Sequence, residues 1–175
     1  VGDNVNLNVR LIDCVGYIIP GAEGHMSGDE PRMVNTPWSS VPMPSEKAAE
    51  TGTEKVIKDH STIGIVVTTD GSITDIEREN YVEAEERVIN ELKDLGKPFI
   101  VLLNSVHPYS PETEELRKEI EDKNGVSVLS VNCAQLKQDD ILSIIEKILR
   151  EFPIREVRLD FPKWEWNGHS RLTHR

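Results

Sequence analysis

Residues 63–103 read IGIVVTTDGSITDIERENYVEAEERVINELKDLGKPFIVLL, and this stretch decides the fold. Ile63 to Thr68 is a continuous run rich in β-branched residues, closed by the turn signal Asp70-Gly71-Ser72. That is the pattern of a strand covered on both faces. Tyr81, Ala84, Val88, Leu92 and Leu95 then fall at helical spacing within residues 77–95, with charged residues between them. Gly96 and Pro98 close that helix, and residues 98–103 supply a second buried strand. Strand, helix and strand in this order make a right-handed crossover between two parallel strands.

The alternation continues on both sides. Ser110-Pro111 opens a helix with Pro at its first position, running to Asn124-Gly125. Residues 126–131 form a short strand, and residues 139–151 an amphipathic helix carrying Ile141, Leu142, Ile145, Ile148 and Leu149. Upstream, Ala48, Ala49, Val56 and Ile57 predict a helix over 45–60 whose middle Gly52 weakens. Residues 16–44, rich in Gly, Pro, Ser and Asn, predict a long loop carrying Trp38. Residues 5–13 predict one more strand, with Val5, Leu7 and Val9 alternating before Leu11 and Ile12. The order implies an α/β, doubly wound, mostly parallel sheet with helices on both faces and ligands at the strand carboxyl ends. This domain is expected to fill residues 1–153, with the alternating 154–161 beginning a following region or tail.

Composition removes several classes of function. The 175 residues carry 31 acidic and 20 basic side chains, a net charge of −11. Such a surface disfavours nucleic acid and anionic membranes, but not a nucleotide, whose phosphates are held by local backbone amides and a metal ion. Cys14 and Cys133 are the only cysteines. A secreted disulfide framework is therefore not expected, and a reduced cytoplasmic setting is. No run approaches the ~20 apolar residues that span a bilayer. His169 and His174 lack a third ligand at zinc spacing. Trp164 and Trp166 are expected to pack on a neighbouring segment, and Glu83, Glu85 and Glu86 to form a solvated helix face.

At the end of the first predicted strand stands Asp13-Cys14-Val15-Gly16, an Asp-x-x-Gly spacing. A carboxylate at a strand tip can hold Mg2+ through water, while a Gly three residues on brings its amide to a γ-phosphate. The bland alternative is an Asp starting a turn that Gly completes. Asn104 follows the strand 98–103 where Ras-like hydrolases carry Asn-Lys-x-Asp, but the text here is Asn104-Ser105-Val106-His107. The Lys and Asp that read guanine are missing, which favours adenine; alternatively Asn104 only caps a turn. Thr68-Thr69-Asp70 reads as a structural turn. Gly-x-x-x-x-Gly-Lys-Ser/Thr is absent: Gly96-Lys97 runs into Pro98 without the upstream Gly. In P-loop domains that loop precedes the Asp-x-x-Gly strand. A chain starting at Val1 without Met is thus expected to be an N-terminally truncated domain of P-loop NTPase type, catalytically incomplete alone.

Five longer strings carry a more specific signal: VRLIDCVGY (9–17), PRMVNTPW (31–38), VIKDHSTIGIVVTTDGSI (56–73), YVEAEERVINELKDLGKPF (81–99) and NSVHPYSPETEELR (104–117). Together they closely resemble the stage IV sporulation protein A family of endospore-forming bacteria. That family is a cytoskeleton-like ATPase related to translation-factor-type GTPases. It hydrolyses ATP and polymerises into the basement layer of the spore coat. The resemblance implies that Asp13 is the Walker B aspartate serving Mg2+ and that ATP is the substrate, with which the missing guanine-reading motif at Asn104 to His107 agrees; Gly16 and Asn104 are expected, from their strand-end positions, to face the nucleotide. It places the family's phosphate-loop Lys and sensor threonines upstream, so Thr68 and Thr69 are not their counterparts. It also implies a homopolymer in the mother-cell cytoplasm at the forespore surface. Other coat proteins and a small membrane-anchoring peptide would be bound by regions outside these residues. Two other readings stay open, a non-enzymatic assembly module and a guanine-nucleotide switch.

Overall fold

The computed structural model describes residues 8–28 and 30–152. Two short antiparallel ladders come first, β1 (Met26–Ser27) with β2 (Glu30–Pro31) and β3 (Met33–Val34) with β4 (Met43–Pro44). They fold the predicted loop back on itself. Helix α1 (Ser45–Lys55) follows and runs into a π-helical turn over Val56–His60. The predicted alternation then holds: β5 (Gly64–Thr69), α2 (Glu79–Asp94), β6 (Phe99–Asn104), α3 (Pro111–Asn124), β7 (Val128–Val131) and α4 (Gln138–Arg150).

β5, β6 and β7 form one parallel sheet in that order. The register sets Gly64 opposite Phe99 and Thr69 opposite Asn104, so β5 and β6 end level. On one face Val66, Val101, Leu103 and Val128 pack with Ile89 and Leu92 of α2 and Ile120 of α3. Two right-handed crossovers stepping the same way put both helices on that side. α4 covers the other face, where Ile144 and Ile148 meet Ile100, Leu102 and Val131. β6 is buried on both faces, which is why Phe99 to Leu103 is uninterruptedly apolar.

Side chains set the helix ends. Ser110 caps α3 by accepting the Thr113 N–H at 3.2 Å, with Pro111 at the first helical position. Lys97, which resembled part of a phosphate loop only in its Gly-Lys pairing, has a structural partner set. Its Nζ donates to the carbonyls of Ile57, Lys58 and Ser61, satisfying the end of the π-helical turn. The Trp38 ring lies over Gly52, and a Cβ there would sit 3.4 Å from the indole, in ordinary van der Waals contact.

One predicted strand is not seen. Residues 8–13 have no regular secondary structure, and Val9, Leu11 and Ile12 are exposed; residues 1–7 lie outside the described residues. The alternation supplies a strand's side-chain pattern, but a strand also needs a neighbour for its N–H and C=O groups. No described strand pairs with 8–13. The predicted strand at 154–161, Trp164, Trp166 and the domain boundary at 153 lie outside the described residues. Among the described residues β5 is paired only on its β6 side. Its Ile65 and Val67 point to the α4 side of the sheet, yet are 40% and 59% exposed, because α4 lies over β6.

Candidate functional site

A cavity of about 440 Å³ opens along the side of β5 away from β6. Its walls are the segment Ile12–Tyr17, Thr53 of α1, β5 itself, and Glu85 and Val88 of α2. Asp13 stands in this wall with its carboxylate exposed, on irregular backbone rather than at the tip of a strand. Gly16 is held at φ +80°, a left-handed conformation that glycine adopts without steric cost. Its N–H donates to Thr53 Oγ1 at 3.0 Å, and the Thr53 hydroxyl donates to the Gly16 carbonyl at 3.2 Å.

The next residue is also anchored. The Tyr17 hydroxyl donates to Glu91 of α2, and the Arg87 guanidinium lies 4.1 Å above the Tyr17 ring. Arg87 in turn binds Glu50 of α1 at 2.5 Å and Glu91 at 3.2 Å. Burial, together with the Glu91 carboxylate, pushes the Tyr17 phenol well above its usual range, so it remains a proton donor. Residues 16–17 are thus clamped to both α1 and α2.

At the carboxyl end of β5 the hydroxyls are committed to structure. Thr68 accepts from Arg78 at 3.3 Å, and Thr69 accepts the Gly71 N–H at 3.0 Å. Arg78 pairs with Glu85 at 2.8 Å, and Glu85 is only 6% exposed. The expected solvated acidic face is therefore wrong at this position. Helical periodicity marks Glu85 as polar, but the Arg78 that makes its burial tolerable comes from the preceding loop. Asp70 accepts the Ser72 N–H at 3.0 Å and the Thr113 hydroxyl at 3.3 Å, while Ser72 Oγ accepts the Val106 N–H at 2.9 Å. The loops after β5 and β6 are thereby stitched together. Burial raises the Asp70 carboxyl, but hydrogen bonds from Ser105, Ser72 and Thr113 outweigh it and hold the group below the usual carboxylate range.

Asn104 sits at the end of β6, and its Oδ1 accepts the Cys133 N–H at 2.9 Å. It fastens β6 to the 3₁₀ turn Cys133–Gln135 after β7, rather than capping its own loop. The cavity brings Asp13 and Gly16 together, whereas Asn104 lies one strand over and is not in its wall. Among the described residues no three acidic, His or Cys side chains converge as a metal cage. The exposed Asp13 carboxylate does fit Mg2+ in its common mode, one carboxylate with waters and substrate phosphates completing the shell. Sequence reading passed over Thr53, Arg87 and Glu91. Their roles depend on contacts 37 and 74 residues distant along the chain, which leave no local spacing to find.

Residues 1–153 match the family described as stage IV sporulation protein A, ATPase domain. The chain belongs to that family. It is 52% identical over 164 residues to stage IV sporulation protein A of Bacillus subtilis (strain 168) and 56% identical to that of Clostridioides difficile (strain 630). The Bacillus anthracis protein is 48% identical. Each match covers 94% of this chain but 33% of the relative, so the chain spans about a third of the length of these stage IV sporulation proteins. The parallel sheet flanked by helices is that of an α/β P-loop NTPase-type domain. No described helix is long and apolar enough to cross a membrane.

Proposed function

We propose that this chain supplies part of the catalytic domain of an ATP-hydrolysing, self-assembling protein of the spore-coat basement layer. In this reading Asp13 and Gly16 face the metal and the γ-phosphate. The observation that carries it is the coincidence of the family match over residues 1–153 with an Asp-x-x-Gly whose Asp and Gly share one wall of the cavity beside β5. Mg2+, when bound, supplies charge neutralisation at the transferring phosphate. The chain's own contribution is local. Asp13 offers an accepting carboxylate that orients metal-bound water, and Gly16 offers a backbone N–H within three residues of it. Asn104 holds the turn at Cys133. Without the Lys and Asp of a guanine-reading motif the base is adenine. Assembly partners are further copies of the protein, other coat proteins and a forespore-membrane anchoring peptide, the last two engaged through regions beyond these residues. The setting is the mother-cell cytoplasm.

These 175 residues contain no phosphate-cradling Gly-x-x-x-x-Gly-Lys-Ser/Thr motif, so the test belongs in the full-length protein. Replacing Asp13 by Ala alters an exposed side chain and leaves the core untouched. Turnover is expected to fall by about 100-fold or more, the several kcal/mol that metal charge stabilisation is worth. Circular dichroism should not change. Undiminished ATP hydrolysis in that variant removes Asp13 from the mechanism.

A further inference from the structure

The Gly16 amide, the group assigned to the γ-phosphate, already has a partner. Its N–H donates to Thr53 Oγ1 at 3.0 Å, and the same hydroxyl returns a hydrogen bond to the Gly16 carbonyl at 3.2 Å. Thr53 is 2% exposed on the inner side of α1, while Gly16 is half-buried in the cavity wall, where an incoming phosphate could reach its amide. One N–H makes one good hydrogen bond. The amide cannot serve Thr53 and a phosphate oxygen together. The neighbouring Tyr17 is fixed by Glu91 and Arg87, leaving Gly16 little reach unless the clasp opens.

We propose that Thr53 is a positioning residue for the phosphate-sensing segment: its hydroxyl competes with the γ-phosphate for the Gly16 amide and so sets the discrimination between nucleoside triphosphate and diphosphate. The proposal rests on the assignment of Asp13 and Gly16 given above. Triphosphate binding exchanges the Thr53 bond for one to the γ-phosphate, whereas a diphosphate has no such oxygen and leaves the clasp closed. Opening the clasp also frees the N-terminal end of the 17–44 loop from α1. The signal thus passes to the helix that Trp38 packs against at Gly52.

The test uses the full-length protein with Mg2+, measuring affinities for a non-hydrolysable ATP analogue and for ADP by calorimetry. Thr53→Val keeps the side-chain shape but removes both hydrogen bonds. Thr53→Ala does so with a better helix former, covering the case in which valine disturbs folding. Both are expected to tighten the triphosphate analogue by about two- to tenfold, the size of one neutral hydrogen bond, with ADP affinity unchanged. Thr53→Ser retains the hydroxyl and should behave as wild type, a rescue that a purely packing role would not produce. Equal changes for both nucleotides, or none, overturn the competition. The Asp13→Ala variant separates that outcome from failure of the underlying assignment. If it weakens the triphosphate analogue while Thr53→Val does nothing, the clasp idea alone fails; if neither variant has an effect, the assignment of the segment fails with it.

Discussion

Glu85 and Arg78 show how much a single buried pair constrains. The two side chains are 4% and 16% exposed and join α2 to the loop that leaves β5. Glu85→Ala leaves an uncompensated guanidinium and is expected to cost about 3–5 kcal/mol in urea unfolding. The double replacement Arg78→Met with Glu85→Leu should recover most of that loss, because removing both charges also removes their desolvation penalty. Asp70 ties stability to acidity. Its folded value lies below the ordinary carboxylate value, so its contribution is complete above that ordinary value and is lost as pH falls through the folded one. Asp70→Asn should therefore be less stable than wild type near neutrality. The gap in unfolding free energy is expected to close as pH drops below about 4. A gap independent of pH counts against a charged Asp70 in the loop network.

The elements follow local chemistry wherever that chemistry is complete within a few residues. A helix expected over 77–95 is found at Glu79–Asp94, and Ser110-Pro111 starts α3 as its capping chemistry requires. The end of the π-helical turn after α1 is different, because it depends on Lys97 from the far side of α2. Lys97→Met keeps the aliphatic stem but strands the carbonyls of Ile57, Lys58 and Ser61. The expected loss is about 1–3 kcal/mol, with amide exchange over 56–61 speeding up more than exchange within α1. Gly52 belongs to the same class. Read alone it is a weak point in a helix, but the Trp38 ring rests on it, a contact that helical propensity does not register.

For the molecule as a whole, the side of β5 that no described strand pairs is the dominant physical feature. Ile65 and Val67 are exposed beside a strand edge that no described strand pairs, and Ile12, in the wall of the cavity along that edge, is 42% exposed. An exposed edge flanked by apolar side chains is a template for association. The 175-residue chain by itself is expected to self-associate with rising concentration in sedimentation velocity, and Val67→Lys to shift it toward monomer. The sequence alone determined the parallel α/β order, the buried centre at Phe99 to Leu103, the helix starts and stops, and the Asp13-to-Gly16 spacing. Each of these is written in periodicity or in neighbouring residues. Only the tertiary structure decided that residues 8–13 have no ladder partner among the described residues, that Glu85 is buried, that Asn104 holds the Cys133 turn, and that Thr53 occupies the Gly16 amide. Those outcomes depend on which distant groups meet, and a hydrogen bond between residues 37 positions apart leaves no trace in local pattern.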